Sequence, residues 1–416
     1  MKKIINYIFC LELRLPLLLI FIGVTLRIFL MPLTAHPDLF GQIHIEYYWI
    51  HFGIFKISQL ADVVQALYLR LAQPIFFGSA LPTIFRQFYP SMFAPYVNWF
   101  SIVSEPMAMR TIFFNKLPYL FFDIAALLIL FKIFKERKQR VVAAALWAFN
   151  PLILYAVYIW GRYEIYSIFF IFCAIYYAKE RKAFFSILLF GLAVALRFPA
   201  IMILPFFIIY FSSNWKDAVK YSILGILPWL VADVLLSIWG PSSQSFYESY
   251  GFLNYFFSTK IPGQFSFSEI GINIIAYPAL LWFFFQERKK GINFKKLIYF
   301  SVISFLTVFS FSYFHPQYLT WITPYCIVAA VINRKIIIPF ILGIISFFIL
   351  INYFLGEDIT NKLFMPIYPI IASSIPKFLF LPFGGSNILV AHSLFVLFNI
   401  IIIIILIKDF RAVEKN

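Results

Sequence analysis

The residues best suited to chemistry sit beside apolar runs. His36-Pro37-Asp38-Leu39-Phe40-Gly41-Gln42 directly follows the first such run, with His44 and Glu46 close behind. A carboxylate such as Asp38, fixed near the end of a membrane span, can take the proton of a hydroxyl that attacks a lipid-borne substrate. Glu46 is the rival base, and His36 is a further site candidate. The same residues also have a structural reading, in which Asp38 caps a helix and the histidines anchor the membrane boundary.

Four more places carry polar groups of this kind. Lys116-Leu117-Pro118 opens an apolar run, and Asp123 lies roughly 10 Å deeper along the same helix. A carboxylate in that position is expensive in lipid unless it has a partner, so Asp123 is either functional or a structural pair with Arg27 or Lys116. Asn150-Pro151 interrupts a later run that ends in Trp160-Gly161-Arg162-Tyr163-Glu164, where Gly161 allows a tight turn and Arg162 and Glu164 form a polar pair. Arg197 falls at the break between two short apolar stretches and has no carboxylate near it in sequence. It suits a phosphate at headgroup depth, or it snorkels to lipid. His315-Pro316-Gln317-Tyr318 adds His315 and Gln317 to the candidates.

The elements that must position these groups are membrane helices. Hydrophobic residues make up 62% of the 416-residue chain and charged residues 12%, far from the shares of a soluble domain. About twelve apolar runs approach the length of ~20 residues that crosses a hydrocarbon core. The class expected is an all-α membrane protein forming a single polytopic domain over 1–416. The formal charge of +16 would point to nucleic acid in a soluble chain, but the basic residues cluster between apolar runs and mark topology instead. Cys10, Cys173 and Cys326 lie in or beside apolar runs and have no metal or disulfide spacing. The first run, about Leu15 to Thr34, contains Arg27 and lacks a cleavage signature, so it reads as a retained span.

Lys2, Lys3 and Arg14 place the N-terminus in the cytoplasm. The clusters Lys132 to Arg140, Lys179 to Lys182, Lys216 with Lys220, Arg288 to Lys296, Arg334 with Lys335, and Lys408 with Arg411 then return to that side at every second crossing. Both termini are therefore expected inside the cell membrane. The long segments 35–110, 240–271 and 355–387 are expected outside, together with His36, Arg162, Arg197 and His315. Within Lys56 to Gln73, apolar residues recur at helical spacing with Asp62, Gln65 and Arg70 between them, which predicts an interfacial amphipathic helix in the first external loop.

In the order of these motifs the chain resembles the GT-C superfamily, the multispanning glycosyltransferases that use polyprenyl-phosphate sugars, including mannosyltransferase-like members. His36-Pro37-Asp38 is similar to the acidic motif of the family's first external loop, and Tyr89-Pro90-Ser91 to a Tyr-Pro-Pro element whose second proline is absent here. Lys116, Pro118 and Asp123, then Asn150-Pro151, continue the likeness. Trp160-Gly161-Arg162-Tyr163-Glu164 is similar to the family's Trp-Gly-Gln-x-Asp, with Arg and Glu in place of Gln and Asp. Gly191 to Pro199 and His315-Pro316-Gln317-Tyr318 resemble later motifs.

The resemblance implies inverting sugar transfer from a polyprenyl-phosphate donor to a glycan, lipid or protein acceptor, at a cell-envelope face, with no cofactor or metal. Asp38 would be the base, and Arg197, with Arg162 or His315, would hold the phosphate. A transporter or lipid flippase is the rival class. It would place its polar groups near the midplane, whereas here only Asp123 and Asp233 lie there.

Overall fold

In a computed structural model, residues 2–53, 59–77, 103–104, 107–239, 272–311, 316–354, 361–367 and 386–414 are described, and no strand occurs among them. The first half contains α1 (Lys2–Leu33), α2 (Pro37–Phe52), α3 (Leu60–Ala72), α4 (Ala108–Ile133), α5 (Arg137–Ala148), α6 (Glu164–Lys179) and α7 (Ala183–Leu196). The second contains α8 (Leu204–Phe211), α9 (Trp215–Trp239), α10 (Ile272–Lys289), α11 (Phe294–Phe311), α12 (Thr323–Ile332), α13 (Ile337–Phe354) and α14 (Ser386–Glu414). A helix occupies each apolar run read from the sequence. Among the described residues, five helical stretches are long and apolar enough to cross a membrane: Leu15–Leu33, Arg137–Trp160, Trp215–Ile238, Phe294–Phe311 and Val390–Ala412. The apolar helices Ala183–Leu196, Phe198–Phe211 and Gln317–Ile332 are shorter.

The exterior is apolar as well as the core. Phe21, Phe29, Ile223, Ile238 and Ile275 are all exposed, a surface that water would not tolerate but lipid does. The chain is a membrane-embedded helical protein. Its main core is aromatic and aliphatic, with Tyr119, Tyr158, Tyr166, Phe206, Tyr299, Trp321 and Tyr325 fully buried. Cys173 and Cys326 are buried there.

A smaller apolar core joins α2, α3 and the start of α4, with Leu39, Phe40, Ile43, Leu69 and Ile112 at its centre. This is the first external loop of the sequence reading, and α2 adds a helix that the reading left unassigned. Met365 and Leu363 come from the third such segment: Met365 joins this core, and the Leu363 carbonyl accepts the Ala35 amide at 2.9 Å. The rest of 355–387, apart from 361–367 and the first residues of α14, lies outside the described residues, as does all of 240–271.

The amphipathic helix is present as α3. Asp62 and Gln65 face inward with Ala61, Ala66 and Leu69, while Leu67, Arg70 and Leu71 are exposed.

α7 and α9 cross at unusually short range. A Cβ built on Gly191 would lie 2.5 Å from the Gly225 carbonyl oxygen and 2.9 Å from Pro228 Cγ, so only glycine lets these backbones meet. Gly191→Ala must push two helices apart. We expect it to destabilise the protein by about 1–3 kcal/mol, read as a lowered thermal midpoint in detergent. An unchanged midpoint would mean that the close approach has been misjudged.

Candidate functional site

The deepest polar group is a closed structural pair. Arg27 Nε donates to Asp123 Oδ2 at 2.6 Å, and its terminal nitrogens donate to the carbonyls of Gly23, Ala148 and Trp147 at 3.0, 3.0 and 2.8 Å. Asp123 also accepts from Trp147 Nε1 at 2.7 Å and from the Tyr158 hydroxyl at 2.9 Å. Both side chains are buried, and the guanidinium lies 3.9 Å from the Trp147 ring centroid. Of the partners open to Asp123 in the sequence, Arg27 is the one used.

Above this pair the third apolar run breaks. α5 ends at Ala148, and Asn150 caps a new turn by accepting the Ile153 amide at 3.0 Å, because Pro151 has no amide to continue the old helix. The chain then widens into a π-helix, Leu154–Trp160, that ends at Gly161 with φ +98°. Here Arg162 N bonds back to the Ala156 carbonyl at 2.9 Å, so carbonyls nearer the end are left for other donors. Lys116 Nζ takes the Tyr158 carbonyl at 2.6 Å and also the Thr34 carbonyl. The Thr34 hydroxyl also reaches the Tyr158 carbonyl, at 3.2 Å, and His36 N takes the Trp160 carbonyl at 3.0 Å. Lys116 thus donates to freed carbonyls, joining the end of α1 to the π-helix.

These bonds bring the His36-Pro37-Asp38 motif against the Trp160-to-Glu164 turn. His36, not Asp38, is the N-cap of α2. Its Nδ1 accepts the Asp38 amide at 3.0 Å, its ring lies 4.7 Å from that of Trp160, and Asp38 sits in the first turn where the helix dipole favours a carboxylate. Asp38 Oδ2 is 3.5 Å from an Arg162 nitrogen. Glu164 Oε1 is 3.8 Å from Arg162 Nε and 2.8 Å from an Arg197 nitrogen. Burial works against the Arg162 charge, but Glu164 and Asp38 outweigh it and hold the guanidinium above its ordinary pKa.

Four residues scattered in sequence therefore form one line of alternating charge: Asp38, Arg162, Glu164, Arg197. Arg197 corrects its sequence reading. It is buried against Glu164 and does not snorkel, and it reaches its carboxylate only through the packing of α7 against α6.

Sequence reasoning passed over the residues beneath this line. The Tyr163 ring lies 5.5 Å from the Arg162 guanidinium carbon and 5.3 Å from that of Arg197. Its hydroxyl donates to Asp62 at 2.5 Å. Gln59, at the start of α3, accepts from Arg197. Gln65 accepts from the Tyr166 hydroxyl at 2.5 Å and donates to Asn115 at 2.8 and 2.9 Å. Gln59, Asp62 and Gln65 recur every third residue on α3, and that spacing was the available signal for a polar docking face.

Glu46 lies on α2, fully buried, and neither carboxylate oxygen has a hydrogen-bond partner among the described residues. Burial, and then the nearby Asp62, push its pKa well above the usual carboxylate range. Burial also pushes Asp62 up, against the Tyr163 hydroxyl and the Arg197 and Arg162 charges, and it pulls His44 down to about 4. Both effects favour the protonated form of Glu46. Gln317 is buried in the turn Pro316–Ile322, which packs on the π-helix, and its Oε1 has no hydrogen-bond partner among the described residues. His315 and Tyr89-Pro90-Ser91 lie outside the described residues. Among the described residues, no group of three His, Cys, Asp or Glu side chains stands together as metal ligands.

The raised Glu46 pKa has a definite sign in stability. Unfolded, the carboxyl ionises above about pH 4.5; folded, it keeps its proton to higher pH, so its contribution is complete below pH 4.5 and drains away as pH rises toward the folded value. Glu46→Gln removes that loss. We expect parent and variant to share a thermal midpoint near pH 4 and the variant to be the more stable at pH 8. A constant difference across that range would show that Glu46 is ionised in the folded protein.

No family model, no curated protein and no solved structure matches this chain, so its activity has to be argued from the site just described.

Proposed function

We propose that the chain is a multispanning glycosyltransferase that moves a sugar, with inversion, from a polyprenyl-phosphate donor to an acceptor hydroxyl at the external membrane face. In this reading all twelve apolar runs cross the membrane, both termini are cytoplasmic, and the Asp38–Arg162 line faces outward. The observation that carries it is a half-buried carboxylate, Asp38, held 3.5 Å from a guanidinium where the first apolar helix ends. Sugar transfer between a hydroxyl and a phosphate ester needs both groups within reach of one anomeric carbon. A base must receive the hydroxyl proton, and a cation must meet the charge growing on the leaving phosphate.

Arg162 suits the second task better than Arg197. Its contacts to carboxylates are the longer ones, 3.5 and 3.8 Å, and its side chain is the more exposed of the two, 12% against 6%. A guanidinium held by long contacts can take a phosphate oxygen without first breaking a tight pair. The apolar exterior suits a donor that arrives through the lipid with its sugar already activated. The resemblance noted in the sequence supports the same reaction class.

The test is incubation of the purified full-length chain in nanodiscs with several polyprenyl-phosphate sugars, following release of polyprenyl phosphate. Asp38→Asn keeps the shape and removes the proton acceptor, and transfer should fall by roughly 100- to 10,000-fold. Arg162→Ala should cost on the order of 100- to 1,000-fold in turnover. Glu46→Gln, which leaves the base and the cation in place, should transfer at close to the parent rate. A dead Glu46→Gln beside an active Asp38→Asn would reverse the base assignment. A donor that crosses the bilayer chemically unchanged would replace the enzyme reading with that of a transporter or flippase.

A further inference from the structure

The line of charges contains one more device, in the way its four members are spaced. Glu164 offers the same oxygen to both arginines, but at unequal distances: 2.8 Å to Arg197 and 3.8 Å to Arg162. Its other oxygen is buried with no hydrogen-bond partner among the described residues, so the pairing seen among them runs through the first. The Asp38 end of the line is the more open: the Asp38 side chain is 21% exposed and Arg162 12%, against zero for Glu164 and 6% for Arg197. A phosphate approaching from the open end meets Arg162 first. Arg197 lies behind it, steadied by the Tyr163 ring and by Gln59.

A carboxylate between two cations acts most strongly on the nearer one, and the difference is larger in a poorly polarisable interior than in water. Arg197 therefore takes the larger share of the Glu164 charge, and only the remainder acts on Arg162. The charge of Arg162 remains, directed at Asp38.

We propose that Glu164 and Arg197 are a positioning pair whose charges cancel each other, and that this frees Arg162 to pass from Asp38 to the leaving phosphate during transfer. The inference rests on the sugar-transfer reading and assigns roles within it. The acceptor oxygen bonds to the anomeric carbon as the carbon–oxygen bond to phosphate breaks, and the breaking bond's electron pair stays on the phosphate. The acceptor proton goes to Asp38. The carboxylate loses the negative charge that the phosphate gains, so Arg162 changes partner with no net change of charge at the site. Arg197 acts through Glu164 and does not touch the substrate.

Single and double variants separate this from plain structural support. The readout is binding of a polyprenyl phosphate to the full chain in nanodiscs, with each variant's thermal midpoint measured alongside. Glu164→Gln unmasks Arg197, so the phosphate should be held roughly 10-fold more tightly and product release should slow. Arg197→Met leaves the Glu164 charge acting on Arg162, and binding should weaken roughly 10-fold. The double variant removes both charges together, and its affinity should return to within about 3-fold of the parent.

If both single variants weaken binding and the double is no better than the worse of them, the pair is only a structural support and the inference is overturned. If the double stays as weak as Arg197→Met alone, Arg197 touches the phosphate and the inference is overturned by another route. Where a single variant does not fold, the double still decides, because a cancelling pair and a phosphate contact predict opposite affinities for it. Failure of the underlying reading looks different: a parent chain that binds no polyprenyl phosphate and releases none from any sugar donor.

Discussion

A buried charge needs a partner, and the Arg27–Asp123 pair meets that requirement at the point where four elements converge. Arg27 comes from α1, Asp123 from α4, Trp147 from α5 and Tyr158 from the π-helix, and each gives at least one hydrogen bond to the cluster. In an apolar surrounding a lone arginine or aspartate would be very costly, so these four helices have little freedom to slide past one another. The end of α1 is set by this packing. So is the position from which the chain enters α2, and with it the distance between Asp38 and Arg162.

The same demand for partners explains the irregular helix above the pair. The break at Asn150-Pro151 and the π-helix after it leave backbone carbonyls that a regular helix would have used itself. Those of Tyr158 and Trp160 are taken by Lys116, Thr34 and His36. Irregular backbone in an apolar surrounding is tolerated only where protein supplies the missing bonds, and here supplying them fastens the end of α1 and the start of α2 to the bundle. The turn that follows owes its direction to Gly161. A Cβ there would meet Leu39 at 3.0 Å and Lys116 at 3.1 Å, and φ of +98° already disfavours any other residue.

The outer layer is held differently. α3 contributes Gln59, Asp62 and Gln65 to hydrogen bonds with Arg197, Tyr163 and Tyr166, and leaves Leu67 and Leu71 outside. Against lipid an apolar face gains nothing by turning inward, so polar and small residues make the contact instead. That arrangement puts a row of amides and an acid under the two arginines. It also ties the geometry of the charged line to the seating of a helix that carries none of its members.

Much of this was legible in the residues themselves. Apolar runs of spanning length require helices in any solvent that offers no hydrogen bonds, and Pro151, Gly161 and the Arg197–Pro199 break mark where those helices had to stop, because proline lacks a donor and glycine alone accepts the left-handed turn. The candidate residues Asp38, Arg162, Glu164 and Arg197 were visible by type and by their place at helix ends. Their pairing was not. Arg197 and Glu164 belong to separate helices, and only the packing of α6 against α7 brings them to 2.8 Å. The inward face of α3 was equally hidden, since periodicity reveals two stripes on a helix but not which stripe meets protein and which meets lipid. Glu46 and Asp38 look alike as letters in one segment, yet burial pushes the pKa of the first up while the second keeps a face to solvent beside Arg162. Sequence determined which groups were present and where the chain could bend. Tertiary structure decided which charges met, because burial and pairing depend on neighbours that sequence order does not bring together.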